Sequence, residues 1–307
     1  MPGADTGQVL LLVPADPLRG RRADEHFAAE AAATRDAGHG VALIDHDLLT
    51  EPDGASRAVA RVPAGGGMAV YRGWMVSSGQ YAALADALSA RGVTLRTSAG
   101  QYRQAHELPG WYPTLARVTP AAVWTVGDGE EEFRAVCARL GPGPAVLRDY
   151  VKSMKHYWHE ATYIPDAADH AAAWKVAAQF RELREAEFTG GFVLRRFEQF
   201  TGAEVRTWWT GGTCRLITAH PDTPGELPPG DVSLAPLVPL IGSLALPFVT
   251  VDLACRADGT WRLIELGDGQ VSDRPASAES GPFLNAVLPL GMHVARPTAA
   301  KPETHGR

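Results

Sequence analysis

Cysteine is scarce: only Cys137, Cys214 and Cys255 occur in 307 residues. No two share the close spacing of a zinc knuckle or a small disulfide framework, so thiol usage suits a reducing cytosol and three separate core-type side chains. Positive charge is also in deficit, with 29 Lys and Arg against 35 Asp and Glu. That balance excludes the basic face that nucleic-acid phosphates require. No apolar run reaches the ~20 residues of a membrane span. The longest, 234–251, is interrupted by Pro236, Pro239 and Pro247. The first eight residues carry no basic cluster, so the apolar stretch at 9–13 reads as a strand and not as a signal peptide. Three common signatures are missing as well: a GxSxG elbow, a Walker-type phosphate loop and a GxGxxG turn. Gly65-Gly66-Gly67 precedes a strand instead of following one, which makes it a flexible loop rather than a phosphate cradle. The expectation is a cytoplasmic protein with no nucleic-acid or membrane partner.

What is present is alternation. Short apolar strands at 9–13, 41–44, 68–71 and 93–96 are separated by alanine-rich or serine-capped helical stretches at 23–37 and from Ser77-Ser78 to about 91. Strands and helices in that order build a parallel sheet through right-handed crossovers, so 1–115 reads as one α/β lobe. A second unit, 116–190, holds strands at 122–126 and 145–147, a helix opened by Glu130, Glu131 and Glu132, and a long helix at 168–187 that Asp166 is placed to cap. From 191 to 295 the chain is strand-rich, with stretches at 192–197, 204–210, 214–219, 247–255 and 261–266. Turn dipeptides Gly211-Gly212 and Asp258-Gly259 join two of the pairs. A mainly antiparallel α+β lobe follows. Residues 296–307 read as a disordered tail.

Chemistry concentrates in three places. Asp252 lies inside the run Val249-Thr250-Val251-Asp252-Leu253-Ala254, and Glu265 inside Arg262-Leu263-Ile264-Glu265-Leu266-Gly267-Asp268. A carboxylate in an apolar strand is costly unless it is paired or bound to a cation. Pairing of the two strands brings Asp252 and Glu265 to one sheet face, where either a hard divalent ion such as magnesium sits between them or each is bonded separately to backbone. The second place is Leu147-Arg148-Asp149-Tyr150-Val151-Lys152-Ser153-Met154-Lys155, where three cations follow a strand end. They form either a clamp on a polyphosphate or a solvated basic stretch. The third is Arg206, a guanidinium among aromatic strand neighbours that must meet a carboxylate or a phosphate. Arg72 and Arg103 sit after the third and fourth strands, where α/β folds bind ligands, and are candidates for holding a carboxylate substrate.

The order of these signals resembles the ATP-grasp superfamily, and more closely its variant clade marked by an arginine and two lysines around the nucleotide. The resemblance rests on the Leu147-to-His156 segment, on Val251-Asp252 with Ile264-Glu265-Leu266-Gly267-Asp268-Gly269-Gln270, and on Tyr71-Arg72-Gly73-Trp74-Met75 with the 102–112 stretch. It spans roughly 68–275. It implies a pre-ATP-grasp N-terminal lobe followed by two ATP-grasp lobes with ATP between them. Arg148, Lys152 and Lys155 would reach the nucleotide. Leu194, Arg195 and Glu198 would lie on the hinge beside it, with Glu198 near the ribose. Arg206 would hold the transferred phosphoryl group, and Asp252 and Glu265 would bind magnesium. The implied activity is ligation of a carboxylate to an amine, amino acids or short peptides, through an acyl phosphate with release of ADP and phosphate. The alternatives are a small-molecule phosphotransferase and a non-catalytic nucleotide-binding module. The superfamily's usual Glu-x-Asn is here Glu265-Leu266-Gly267, so Asp268 is the expected source of the missing metal oxygen. The glycine-rich phosphate loop is replaced by 152–160, which contains no glycine.

Overall fold

The computed structural model describes residues 9–65 and 67–288; the tail expected to be disordered lies outside them. Strands β1 (Leu10–Pro14), β2 (Gly40–Ile44), β3 (Met68–Tyr71) and β4 (Thr94–Leu95) form a parallel sheet in the order β2-β1-β3-β4. β1 is almost continuously apolar because helices cover both faces of the sheet. Helix α1 (Glu25–Asp36) starts where the Asp24 carboxylate accepts from the His26 N–H. Two short helices follow β2, α2 (His46–Thr50) and α3 (Ala55–Ala58). Helix α4 (Ser78–Ser89) opens with a reciprocal Ser77/Gln80 capping box.

The stretch after β4, expected as surface loop, is instead helical. Ser98 and Gln101 form a second capping box for α5 (Ala99–His106), and α6 (Leu108–Leu115) follows with Pro113 inside it. Burial decides this: Tyr102, Ala105, Leu108 and Trp111 are all interior. A short window with two prolines hides that periodicity.

The second sheet, β5 (Ala122–Trp124), β6 (Ala145–Arg148), β7 (Tyr163–Ile164) and β8 (Val193–Arg196), is antiparallel in the order β5-β8-β6-β7. Helices α7 (Glu130–Leu140) and α8 (His170–Arg184) cover it around Phe133, Phe180 and Phe192. Two expectations are corrected here. β8, read as the head of the C-terminal lobe, completes this central sheet. The cap of α8 is Asp169, whose carboxylate accepts from the Ala172 N–H, while Asp166 ties the Gly143 and Ala168 amides.

The third sheet, β9 (Phe200–Thr210), β10 (Thr213–Ala219), β11 (Phe248–Arg256) and β12 (Trp261–Asp268), runs β10-β9-β11-β12 and is antiparallel throughout. Helix α9 (Val238–Ser243) lies between β10 and β11. Alternation splits the Trp208/Trp209 pair: Trp209 joins one core with Val249 and Leu266, and Trp208 joins another with Phe27 and Phe248. Helix α10 (Ser280–Val287) then returns to pack on α1, placing Phe283 and Leu284 in the core that β1 and Trp208 share. No helix among the described residues is long and apolar enough to cross a membrane.

The lobes are joined by a buried guanidinium. Arg72, just past β3, is 1% exposed. It donates to both oxygens of Glu30 on α1 at 2.8 and 2.9 Å. Its Nη1 donates to the carbonyls of Gly269, Gln270 and Ser272, immediately after β12. Burial pushes the Glu30 carboxyl up, and Arg72 with Arg274 outweighs that and holds it below its ordinary value. Removing one partner of such a pair leaves a buried charge uncompensated, at about 3–5 kcal/mol. Arg72→Met should therefore lower the urea midpoint by that order, and Arg72→Met with Glu30→Met should recover part of the loss. Equal unfolding midpoints for wild type and Arg72→Met would refute the assignment.

Candidate functional site

Three neighbouring strands put their charged residues in one row. Asp252 on β11 is the cross-strand partner of both Arg206 on β9 and Glu265 on β12, so the three side chains leave the same sheet face. Arg206 donates Nε and Nη2 to the two Asp252 oxygens, 2.8 Å each. Burial pushes the Asp252 carboxyl up, but Arg206 and His220 outweigh it and hold it well below the usual carboxylate range. Glu204, two residues before Arg206, shares that face; burial and the nearby Asp252 and Glu265 charges raise it. His220, directly after β10, completes a group with Glu204 and Asp252 whose candidate ligand atoms lie within 4.8 Å of one another. The cation now standing among them is the Arg206 guanidinium, whose Nη2 is 3.3 Å from His220 Nε2.

The facing wall comes from the turn after β6. Arg148 donates from Nη2 to Glu265 Oε1 at 3.1 Å and to the Val151 carbonyl. Burial opposes ionisation of Glu265, and the Arg148 and Lys152 charges outweigh it, leaving the carboxyl below its ordinary value. The turn itself is pinned by Asp149, which is wholly buried. Its Oδ1 accepts from the Val151 and Lys152 amides at 2.7 and 2.6 Å, and its Oδ2 accepts from Arg184 Nε at 3.0 Å. A glycine-free segment thus holds a fixed shape, because a carboxylate organises its backbone amides. Among the described residues the Lys152 ammonium has no ion-pair or hydrogen-bond partner, whereas Lys155 pairs with Asp222.

A cavity of about 400 Å³ lies between these walls and the Trp74-Met75 loop, lined by Lys152, Lys155, Arg206, Asp252 and Glu265. Five residues singled out from the sequence therefore meet in one place. Others do not. Leu194 is interior to the central sheet, and Arg195, on the sheet's other side, donates to the Ile264 carbonyl and Thr119 Oγ1. Burial beside Arg148 lowers Arg195 to about 10. Glu198 is bonded through both oxygens to Arg262, 2.9 Å each. Arg72 has no donor left for a substrate carboxylate, since Glu30 and the three carbonyls engage it. Arg103 is exposed, pairs with Glu107 and stands outside the lining. Neither arginine is placed to receive substrate.

Asp268 also borders the cavity, but three residues separate it from Glu265, an odd interval that turns its carboxyl to the opposite sheet face. There Oδ1 accepts from the Gln270 amide and side chain at 2.9 and 3.0 Å, and Oδ2 is buried without a partner. The oxygens beside Gly267 come instead from Thr250 and Ser272, whose hydroxyls are 2.7 Å apart. A Cβ at 267 would meet them at 3.4 and 3.6 Å. Sequence reading missed Glu204, His220, Thr250 and Ser272 in this role. For Glu204 and Thr250 a signal exists: each is two residues from an assigned site residue on its own strand. His220 and Ser272 follow strand ends and carry none. His106, at the end of α5, was passed over within the 102–106 stretch. It is buried, stacks on Tyr102 and borders the cavity. Burial first, then Lys152, lowers its imidazole to about 4, so the ring is neutral.

The sequence profile of the ATP-grasp domain, family 3 of the clade with an arginine and two lysines, matches residues 139–287, from the end of α7 to the end of α10. Solved structures resemble nearly the whole chain. A RimK domain protein ATP-grasp from Sphaerobacter thermophilus DSM 20745 aligns over 91% of this chain and 99% of its own, with 20% identity and a TM-score of 0.59. D-cycloserine synthetase DcsG aligns over 92% and 100%, with 17% identity and a TM-score of 0.62. The ADP complex of N5-carboxyaminoimidazole ribonucleotide synthetase aligns over 92% and 77%, with 12% identity and a TM-score of 0.59. No curated protein sequence matches significantly. At these identities the likeness establishes the fold: a parallel N-terminal sheet followed by antiparallel sheets, in the ATP-grasp arrangement.

Asp268 gives a pH test of this geometry. Burial raises its carboxyl to about 7, so the folded state keeps a proton that the unfolded chain releases near 3.9. The stabilising contribution is complete below that lower value and is lost as pH rises through about 7, a span worth roughly 4 kcal/mol. Asp268→Asn, neutral at every pH, should gain about 2–4 kcal/mol on the wild type between about pH 4 and about pH 8 in urea unfolding. A difference between the two proteins that stays constant with pH would contradict it.

Proposed function

We propose that the chain is an ATP-dependent carboxylate–amine ligase of the ATP-grasp clade that carries an arginine and two lysines at the nucleotide. One observation carries the reading: Arg206, Asp252 and Glu265 stand in cross-strand register on one wall of a cavity whose other wall presents the unpaired Lys152. Such a cleft opposes a cation-binding acidic row to a phosphate-binding lysine. It is the layout phosphoryl transfer needs, since catalysis there is positioning and neutralisation of charge on the phosphoryl oxygens. The matching profile, and neighbours that include D-cycloserine synthetase and the ATP-grasp ligase PsnB solved with Mg and ADP, support the same reaction class.

In the reaction, a carboxylate oxygen of the acid attacks the γ-phosphorus of ATP while the bond to the β-phosphate oxygen breaks and ADP leaves. The acyl phosphate that results is attacked at its carbonyl carbon by the amine. The C–O bond to phosphate breaks, the amine gives up a proton, and an amide and inorganic phosphate remain. Lys152 and Lys155 bind the polyphosphate. Lys155 leaves Asp222 to do so, a small cost for an exposed pair. Arg148 acts at one remove, fixing the Glu265 carboxylate and the Val151 carbonyl. Arg206 is the group that meets the moving phosphoryl oxygens. The hinge of Leu194, Arg195 and Glu198 flanks the adenine. There Phe197 packs with Tyr163 and Trp158, ring centroids 5.5 and 6.3 Å away, a surface suited to a base.

The donor set fits magnesium: Asp252, Glu265 and Glu204 are hard oxygen ligands brought together on one face, and Glu204 is destabilised by its like-charged neighbours. When bound, the ion neutralises phosphate charge. Asp252 retains lone pairs for a cation while engaged by Arg206.

Calorimetry of ATP binding, with and without magnesium, checks the site. Wild type should bind more tightly with the ion, and Glu265→Gln should lose that difference. Lys152→Ala should weaken ATP binding about tenfold or more at either condition. Release of ADP only when acid and amine are both supplied distinguishes ligation from simple phosphotransfer. Magnesium-independent ATP affinity in wild type would sink the proposal.

A further inference from the structure

A second cavity, of about 620 Å³, opens on the far side of Lys152. It lies between the N-terminus of α4 and the 184–189 segment that follows α8. Met75, His106, Val151 and Lys152 line both it and the first cavity, so the two chambers meet at one wall. Its volume falls in the ~300–1,000 Å³ range of small-molecule sites.

Three features of the chamber point to an anionic ligand. Lys152 is a cation with no carboxylate partner among the described residues. The capping box of α4 engages the Ser77 and Gln80 amides, which leaves the Ser78 and Gly79 N–H groups of the first turn without an intrahelical acceptor. The other two charges at the rim, Arg184 and Glu187, pair with each other at 2.9 Å. The independent feature is His106, 7% exposed, whose ring nitrogens make no hydrogen bond among the described residues. Its ring is held on Tyr102, centroids 4.9 Å apart, and Tyr102 stacks on Tyr81 at 4.0 Å. A buried polar group without a partner costs about 1–3 kcal/mol, and here a rigid aromatic shelf presents it to the chamber.

We propose that this second chamber is the binding site for the acid substrate: a small carboxylate that pairs with Lys152 and hydrogen-bonds through a second polar group to His106. The inference rests on the ligase reading for the word substrate, but the site stands as a carboxylate site without it. Lys152 then serves both chambers, holding the carboxylate on one side and the phosphates on the other, so the two reacting groups meet across one ammonium. His106 is a specificity-determining contact. As a neutral ring it offers one donor and one acceptor, which favours acids carrying an amino, amide or hydroxyl group over simple fatty acids.

The test is saturation-transfer NMR with the proteinogenic amino acids and their N-acetyl derivatives as probes, on full-length protein with and without Mg·ATP. At least one probe should bind wild type. His106→Phe, which keeps the stack on Tyr102, should weaken it about tenfold or more, and His106→Gln should recover part of the loss. Thr50→Trp, which fills the chamber from an exposed rim position on α2, should abolish binding without touching the aromatic shelf. It keeps the test informative if the His106 variants fail to fold. No probe binding to wild type in either condition, or binding unchanged in Thr50→Trp, overturns the proposal. Magnesium-dependent ATP affinity measured on the same samples reports separately on the ligase reading.

Discussion

A guanidinium cannot stay in a protein interior unless every direction in which it donates finds an acceptor. Arg72 meets that condition only because three parts of the chain converge on it: α1 through Glu30, the end of β3 where it resides, and the carbonyls of 269–272. The parallel sheet and the acidic strand β12 are therefore locked at one point. The turn held there contains Gln270, whose side chain accepts from the Tyr71 N–H and donates to Tyr81 and Asp268. Trp74 and Met75, which border the reaction cavity, begin two residues beyond the same arginine. Alignment of the N-terminal lobe with the acidic row thus depends on a residue that touches no ligand.

Charge in the cleft is arranged so that each group is held by something other than what it is meant to bind. Asp252 is held by Arg206, Glu265 by Arg148 and Lys155 by Asp222. Lys152 is the exception, with its backbone fixed by buried Asp149 and its ammonium unpaired. Ion pairs of this kind keep the carboxylates ionised without a metal and keep like charges apart. They also give nucleotide and cation something to exchange with on arrival. The strongest, Arg206–Asp252, is bidentate and desolvated; the weakest, Lys155–Asp222, is exposed and easily released.

Much of the site was legible from the chain alone because β-structure has a strict period of two. Asp252 and Glu265 in adjacent apolar strands had to face one side or the other together, and the hairpin register made them cross-strand partners. The strand ends carrying Arg148 and Lys152 were equally readable, since a basic run after an apolar strand projects beyond the sheet. The same periodicity, counted one residue further, separates Asp268 from Glu265. Reading it as a substitute ligand at Gly267 overlooked that an odd interval reverses the face. The helices α5 and α6 were missed because their prolines and short length mask a pattern that burial of Tyr102 and Trp111 decides.

The sequence by itself determined the order of elements, the α/β-then-antiparallel layout and the identity of the acidic hairpin, because local patterning and hydrogen-bond geometry act over a few residues. Tertiary structure alone decided which cations are free. Arg72, Arg103, Lys152 and Arg206 are alike as letters, each a positive charge near a strand or helix end. Glu30 on α1 claims Arg72, Asp252 claims Arg206, Glu107 pairs with Arg103, and Lys152 is left open between two chambers. Pairing of charges is settled by distances between residues far apart in the chain, and desolvation makes those distances decisive.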